Sequence, residues 1–257
     1  MGGAYRIKLW QEAMTSKQVL LLLVLLVVAG CMPKPKAEPL VSPYPGRQVW
    51  AIAPIINESG SAHASGLVFA DHLARQLENA SNIDVLPVNR VLAVMESQRM
   101  AGVRGPGDVQ QLLKLLGADY LVVGTITAYD PYDPPKMGVA IELYASPRVE
   151  EVRLVNLRRL SSASTDRDIT PAAYVDVSRP VSLASGYFDA ADPGVREKLQ
   201  RYGRERSQAD GEASSWRLYR INMNLYSEFV SYVMSWRLLE SERLRFQPPP
   251  ASQPATP

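Results

Sequence analysis

The chain reads as an α/β protein: a small mixed-sheet layer with packed helices, a long C-terminal amphipathic helix and an irregular polar insertion. Three observations predict this. Short apolar runs at 49–55, 83–88 and 120–129 alternate with segments whose apolar residues recur at helical spacing. Two strand-like runs, 120–129 and 137–144, follow one another across a proline-rich break and so predict a hairpin. A stretch at 215–245 carries a broad apolar stripe of helical period.

Residues 49–55 end at the turn formers Asn57, Ser59 and Gly60, which predicts a buried strand. From 65 to 79, Leu67, Ala70, Leu73, Ala74 and Leu77 share one helix face, with Asp71, Arg75 and Glu78 outside. Residues 83–88 predict a second strand, and Val91, Leu92, Val94 and Met95 open a helix running to about Met100. A glycine-rich loop at 102–107 follows, and Asp108 is placed to cap a helix at 109–116 that Gly117 stops. Beyond the hairpin, Val149, Val152, Leu154 and Leu157 suggest a further strand. The order strand-helix-strand-helix-helix-strand-strand implies a mixed sheet with right-handed crossovers. Residues 161–214 are polar and irregular, with a short charged helix at 193–206. In the last helix, Leu218, Ile221, Leu225, Phe229, Tyr232 and Trp236 trace the stripe, and Tyr219, Met223, Tyr226, Val230, Val233 and Met234 widen it. Core packing is the commoner outcome of such a stripe; contact with a partner or another copy, through Tyr219, Tyr226, Tyr232 and Trp236, is the alternative. The helix is too polar and too short to span a membrane.

The chain's beginning reads as a lipoprotein signal. An apolar run at 19–28, preceded by Lys17, has the length of a secretory signal core, and it closes on Val28-Ala29-Gly30-Cys31. A small-small-cysteine sequence there is where lipoprotein signal peptidase cuts and the thiol takes diacylglycerol. Cys31 is the one cysteine of the chain, so no disulfide competes for it. The start is Met1 or Met14. Two or more acyl chains hold a protein on a membrane surface without a crossing helix. Met32 stands where an aspartate favours inner-membrane retention in enteric bacteria, which points to an outer membrane facing the periplasm. The expected parts are a signal peptide (1–30), a lipidated, proline-rich tether (31–47), an α/β domain (48–160), a partly disordered polar insertion (161–214), the long helix (215–246) and a disordered proline-rich tail (247–257). As polyproline II the tether reaches ~50 Å at ~3.1 Å per residue. Lys34 and Lys36 lie where anionic head groups would attract them.

Composition narrows the function. A hydrophobic content of 46% with 21% charged residues suits a globular fold, and a formal charge of +2 speaks against nucleic acid. His63 and His72, beside Glu58 and Asp71, fall short of the three or four ligands a zinc site takes. The loop 102–107, with Arg104, lacks the Lys-Ser/Thr of a phosphate loop and does not follow a strand. Asp130 and Asp133 suit a hairpin turn better than a calcium site of six to eight oxygens. No acid, base and nucleophile set is legible, so no enzyme and no cofactor or metal is expected.

Three stretches together resemble a known pattern: Ile52-Ala53-Pro54-Ile55 with Asn57 and Ser59-Gly60, residues 83–92, and Leu116-Gly117-Ala118-Asp119-Tyr120-Leu121-Val122-Val123-Gly124. They are similar to the curli-secretion lipoprotein (CsgG) family and its relatives, the synthase-activator lipoprotein LpoB and the amino-terminal domain of TolB. The resemblance covers 49–144. It implies an envelope lipoprotein that scaffolds or binds, recruiting or regulating a protein partner, with no catalytic residues. Its channel-forming member implies the alternative, an oligomeric outer-membrane secretion channel. That would require lipid-facing hairpins of nine to eleven alternating residues, of which 161–214 offers fragments such as Tyr174-Val175-Asp176-Val177.

Overall fold

One mixed sheet organises the protein. The computed structural model describes residues 39–150, 176–206 and 215–246. The strands are β1 (Gln48–Ile52), β2 (Ile56–Asn57), β3 (Ile83–Val85), β4 (Tyr120–Asp130), β5 (Lys136–Ala145) and β6 (Ser182–Asp189). The helices are α1 (Gly66–Glu78), α2 (Val88–Ser97), α3 (Pro106–Leu116), α4 (Pro193–Arg206), α5 (Ser215–Ile221) and α6 (Met223–Phe246). The sheet order is β3-β1-β4-β5-β6, parallel from β3 to β4 and antiparallel from β4 to β6. β2 continues the line of β1 past Pro54 and pairs with the far half of β4.

Alternation along the strands sorts the core into two layers. Trp50, Ile52, Tyr120, Val122, Ile141, Leu143, Ala184 and Phe188 face α1 and α6 in the larger one. Ala51, Ala53, Leu121 and Tyr144 face α2 and α3 in the smaller. Local chemistry sets the helix ends. Ser65 Oγ accepts from Val68 N–H at 3.3 Å. α3 starts with Pro106 in its first turn and stops at Gly117, whose φ of 65° is left-handed and cheap for glycine.

Several expectations change. Asp108 is not the N-cap of α3, since Gly105 precedes Pro106 there; its carboxylate instead accepts from Arg104 N–H at 2.8 Å. Val88 opens α2 rather than closing β3. Residues 147–150 are helical where a strand was expected, and the rest of that strand lies outside the described residues. The region 161–214 holds more than the expected helix at 193–206, which is α4: it also contains the strand β6. The single long helix is two, because the Asn222 carboxamide accepts from Asn224 N–H (2.9 Å) and Leu225 N–H (3.3 Å) and so caps a new start. The stripe shifts with it. Leu218, Ile221 and Trp236 are exposed, while Tyr226, Phe229, Val230, Val233, Met234, Leu238 and Leu239 are buried.

The tether expectation also changes at its inner end. Leu40, Ser42 and Tyr44 are buried, so residues 40–44 belong to the domain. Tyr44 is held by an ionic cluster at the end of α6. Its hydroxyl donates to Glu242 Oε2 at 2.7 Å, and Ser182 Oγ donates to the other oxygen. Arg245 closes the cluster on Glu242 (2.6 and 2.8 Å) and on Glu150 (2.5 Å). Burial, then the Glu242 carboxylate, pushes the Tyr44 phenol far above its ordinary range, keeping it a neutral donor. Four stretches distant in sequence meet at this corner: 40–44, Glu150, Ser182 and the end of α6.

Candidate functional site: an aromatic and basic groove

α4 and α6 come together because each has one face that cannot face water. Along α4, Leu199 and Tyr202 are buried three residues apart, while Arg196, Glu197 and Arg204 mark the polar side. Tyr202 is the keystone. Its ring meets Tyr219 at 5.3 Å, Phe229 at 5.5 Å and Tyr232 at 5.2 Å. The Arg206 guanidinium lies 3.7 Å from the Tyr202 ring centre and 4.6 Å from that of Tyr232. Its buried Nη1 lacks a hydrogen-bond partner, so those ring faces and the Glu205 carboxylate at 3.8 Å balance its charge. Burial raises the Tyr202 phenol far above its ordinary range, and its O–H reaches Glu228 at 3.3 Å.

Beside this stack runs a groove of about 780 Å³, its open mouth included, lined by Lys198, Arg201, Tyr202, Glu205, Tyr232, Trp236 and Arg237 among others. Trp236 is 48% exposed, which is unusual for the largest apolar side chain. The groove offers flat aromatic surface with Lys198, Arg201 and Arg237 at its rim, of which Arg201 is paired with Glu197 at 3.3 Å. Chemically that suits an apolar side chain flanked by acidic groups.

The four aromatic residues expected at a contact divide. Tyr232 and Trp236 line the groove. Tyr219 is half-buried behind it, against Tyr202. Tyr226 is fully buried in the main core and is unavailable to a partner, because the helix restart at Asn222 turns it onto the sheet. Tyr202, Arg201 and Lys198 escaped sequence reading. Their one visible signal was the amphipathic spacing of 193–206, and nothing local showed which helix it would meet. Cys31, with the rest of the signal and the outer tether, lies outside the described residues.

The other candidates separate cleanly. His63 is exposed in a loop. His72 is not a surface residue: it is buried between α1 and α6, with Nε2 3.0 Å from Asn224 Oδ1 and Nδ1 2.7 Å from Arg75 Nη2. Arg75 can only donate, so Nδ1 accepts and Nε2 carries the proton. Burial lowers the His72 pKa, further helped by the Arg75 charge. Asp133 pairs with Arg220 at 2.8 Å, and Asp130 accepts from Tyr132 N–H at the turn. Among the described residues, no three of His, Cys, Asp or Glu converge as metal ligands, and no helix is long and apolar enough to cross a membrane.

Residues 46–136 match the family model described as the curli production assembly/transport component CsgG. No curated protein matches the chain. Among solved structures it is similar to the LpoB C-terminal domain from Salmonella enterica, at 8% identity and a TM-score of 0.38, over 56% of this chain and 84% of that one. It is similar to lipoprotein GNA1162 from Neisseria meningitidis, at 14% identity and a TM-score of 0.30, over 46% and 99%. A PelC dodecamer from Paraburkholderia phytofirmans follows, at 17% identity and a TM-score of 0.26, over 43% and 67%.

Proposed function

We propose, for a chain whose residues 46–136 match the CsgG family model, a lipid-anchored, non-enzymatic binding module of the cell envelope. Cys31 is its anchor, the outer membrane its place, and a protein partner its target. An envelope scaffold or binding role is what the family supports. The observation that carries the finer reading is the groove: an exposed tryptophan beside a stacked Tyr202–Arg206–Tyr232 set, with cations at the rim. Exposed aromatic and arginine surface is costly to leave in water and is enriched where proteins dock. The buried root at 40–44 shortens the reach of the tether. Eight residues, 32–39, then remain for the tether, a reach of at most ~25 Å if extended at ~3.1 Å each.

Two measurements test this. A photo-reactive residue at Trp236 is expected to crosslink a discrete protein in intact cells, while one at Leu244, also exposed but on the far end of α6, gives no such product. Equal products at both positions, or none at either, sink the groove as the contact. The mass of the lipidated full-length protein in mild detergent is expected to be that of a monomer or dimer. A large detergent-stable ring would replace the module with the secretion-channel reading.

A further inference from the structure

Among the described residues, no strand or main-chain group covers the outer edge of β6, and a single side chain, Arg237, caps its central carbonyl. Ser146 N–H donates to Asp119 C=O (2.8 Å), which turns the even-numbered amides of β5 toward β4 and its odd-numbered ones toward β6. Leu143 C=O and Pro135 C=O accordingly accept from Val181 N–H (2.7 Å) and Ala190 N–H (3.0 Å). With Leu143 opposite Ser182 and Met137 opposite Phe188, the even residues of β6 spend their backbone groups on β5. Leu183, Ser185 and Tyr187 point theirs outward. Among the described residues nothing accepts from those three N–H groups, and Ser185 C=O is engaged by Arg237 Nη1 at 2.6 Å.

Natural sheets guard their edges with short strands, charge or cover. The opposite edge obeys this: β3 has three residues, and its Asp84 is paired with Arg47 at 3.1 Å. β6 has eight residues, no charge before Asp189, and Leu183 and Tyr187 exposed by 63% and 61%. The edge and the groove are continuous through Arg237. That guanidinium touches the Ser185 carbonyl, lies 5.2 Å from the Phe188 ring centre and lines the groove. Gly186 makes room for it, since a Cβ there would stand 2.4 Å from Arg237 Nη1.

We propose that β6 accepts an added strand: an extended, acidic segment of a protein partner, paired to Leu183, Tyr187 and the Ser185 N–H, with alternate side chains in the α4–α6 groove. This rests on the groove reading above and names the chemistry of the partner. Strand addition supplies affinity through main-chain bonds, and pockets for alternate side chains supply selectivity. The acidic character follows from Lys198 and Arg237, which line the groove and have no carboxylate within ion-pair distance among the described residues, whereas Arg201 is paired with Glu197 at 3.3 Å and Glu205 lies against Arg206. A second copy of this chain fits poorly. α6 lies over β6, so pairing two β6 strands would bring two α6 helices toward the ~5 Å strand spacing, where packed helices need about 8–10 Å. The chain's own tail fits no better: five of residues 247–257 are proline and cannot donate to an edge.

The test uses full-length protein in mild detergent and a displayed library of random octapeptides. Selected peptides are expected to carry Asp or Glu between alternating apolar residues, without internal proline. The tightest, synthesised, should slow hydrogen exchange at the Leu183, Ser185 and Tyr187 amides and leave β5 unchanged. Ser185→Asp, at an exposed side chain outside the β5 ladder, should weaken it at least tenfold, and Ser185→Lys should not. Trp236→Ala should also weaken it. Binding lost with Trp236→Ala but indifferent to Ser185→Asp, with no edge protection, overturns strand addition and leaves the groove standing. Binding indifferent to both variants overturns both readings. An empty selection, or one enriched in basic or proline-rich peptides, overturns the proposal.

Discussion

The two ends of α6 solve opposite problems with similar side chains. Near its C-terminus, Glu242 is buried and Arg245 half-buried, and their charges and hydrogen bonds close on each other and on Tyr44, Ser182 and Glu150. At mid-helix, Trp236 and Arg237 stand at an open groove, where Lys198 and Arg237 have no carboxylate within ion-pair distance among the described residues. A closed set of buried charges is structural, because removing a member strands the rest. An open set has interaction capacity left over, and capacity of that kind at a surface is where a partner gains energy. The same helix thus secures the domain at one end and presents it at the other.

Breaking the closed end should cost most. Glu242→Ala leaves Arg245 with Glu150 alone in a buried corner and should destabilise by about 3–5 kcal/mol. Calorimetry should show a Tm lower by on the order of 10 °C for a domain of this size. An unchanged Tm would show that the corner is not closed in solution. Tyr226→Ala comes next, at about 3–5 kcal/mol for truncating a fully buried aromatic. Because its hydroxyl has no partner, Tyr226→Phe should be near neutral, and a large loss from that variant would refute the placement.

His72 sharpens the comparison through pH. Its folded pKa is depressed, chiefly by burial and then by Arg75, against the favourable Asn224 hydrogen bond and the Glu228 and Asp71 charges. The unfolded chain therefore binds the proton first. Stability should hold above pH 6.5 and fall as pH drops through 6.5 toward the lower folded value. Denaturant midpoints for the protein and for His72→Gln should converge at neutral pH and part below 6, with the wild type losing more. Parallel curves would remove His72 from the balance. The smallest effects belong to the open end and the exposed rim. Trp236→Ala should cost about 2 kcal/mol, less than the fully buried truncations, because half its surface stays in water. Arg243→Ala, which breaks an exposed pair with Glu240, should leave the midpoint unmoved.

Much of this was written locally. The apolar runs at 49–55 and 120–129, the α1 face through Leu73 and Leu77, and the Gly117 stop are read from spacing, because burial on one face imposes a period that survives in any context. β6 was hidden for the same reason. Ser182, Ala184 and Gly186 face the core as small residues because α6 and Arg237 press on them, so the alternation carried almost no hydrophobic contrast. The aromatic stripe of 215–245 was visible as a pattern, but the turn given to it by the Asn222 cap was not, and that turn sent Tyr226 inward and Trp236 outward. By itself the sequence determined the α/β class, the order of the main elements up to β5 and the resemblance over 49–144. Tertiary structure alone decided that α4 meets α6, that 40–44 is clamped by Glu242, and that β6 is the last strand of the sheet among the described residues. Those outcomes depend on contacts between residues far apart in the chain, which no local period encodes.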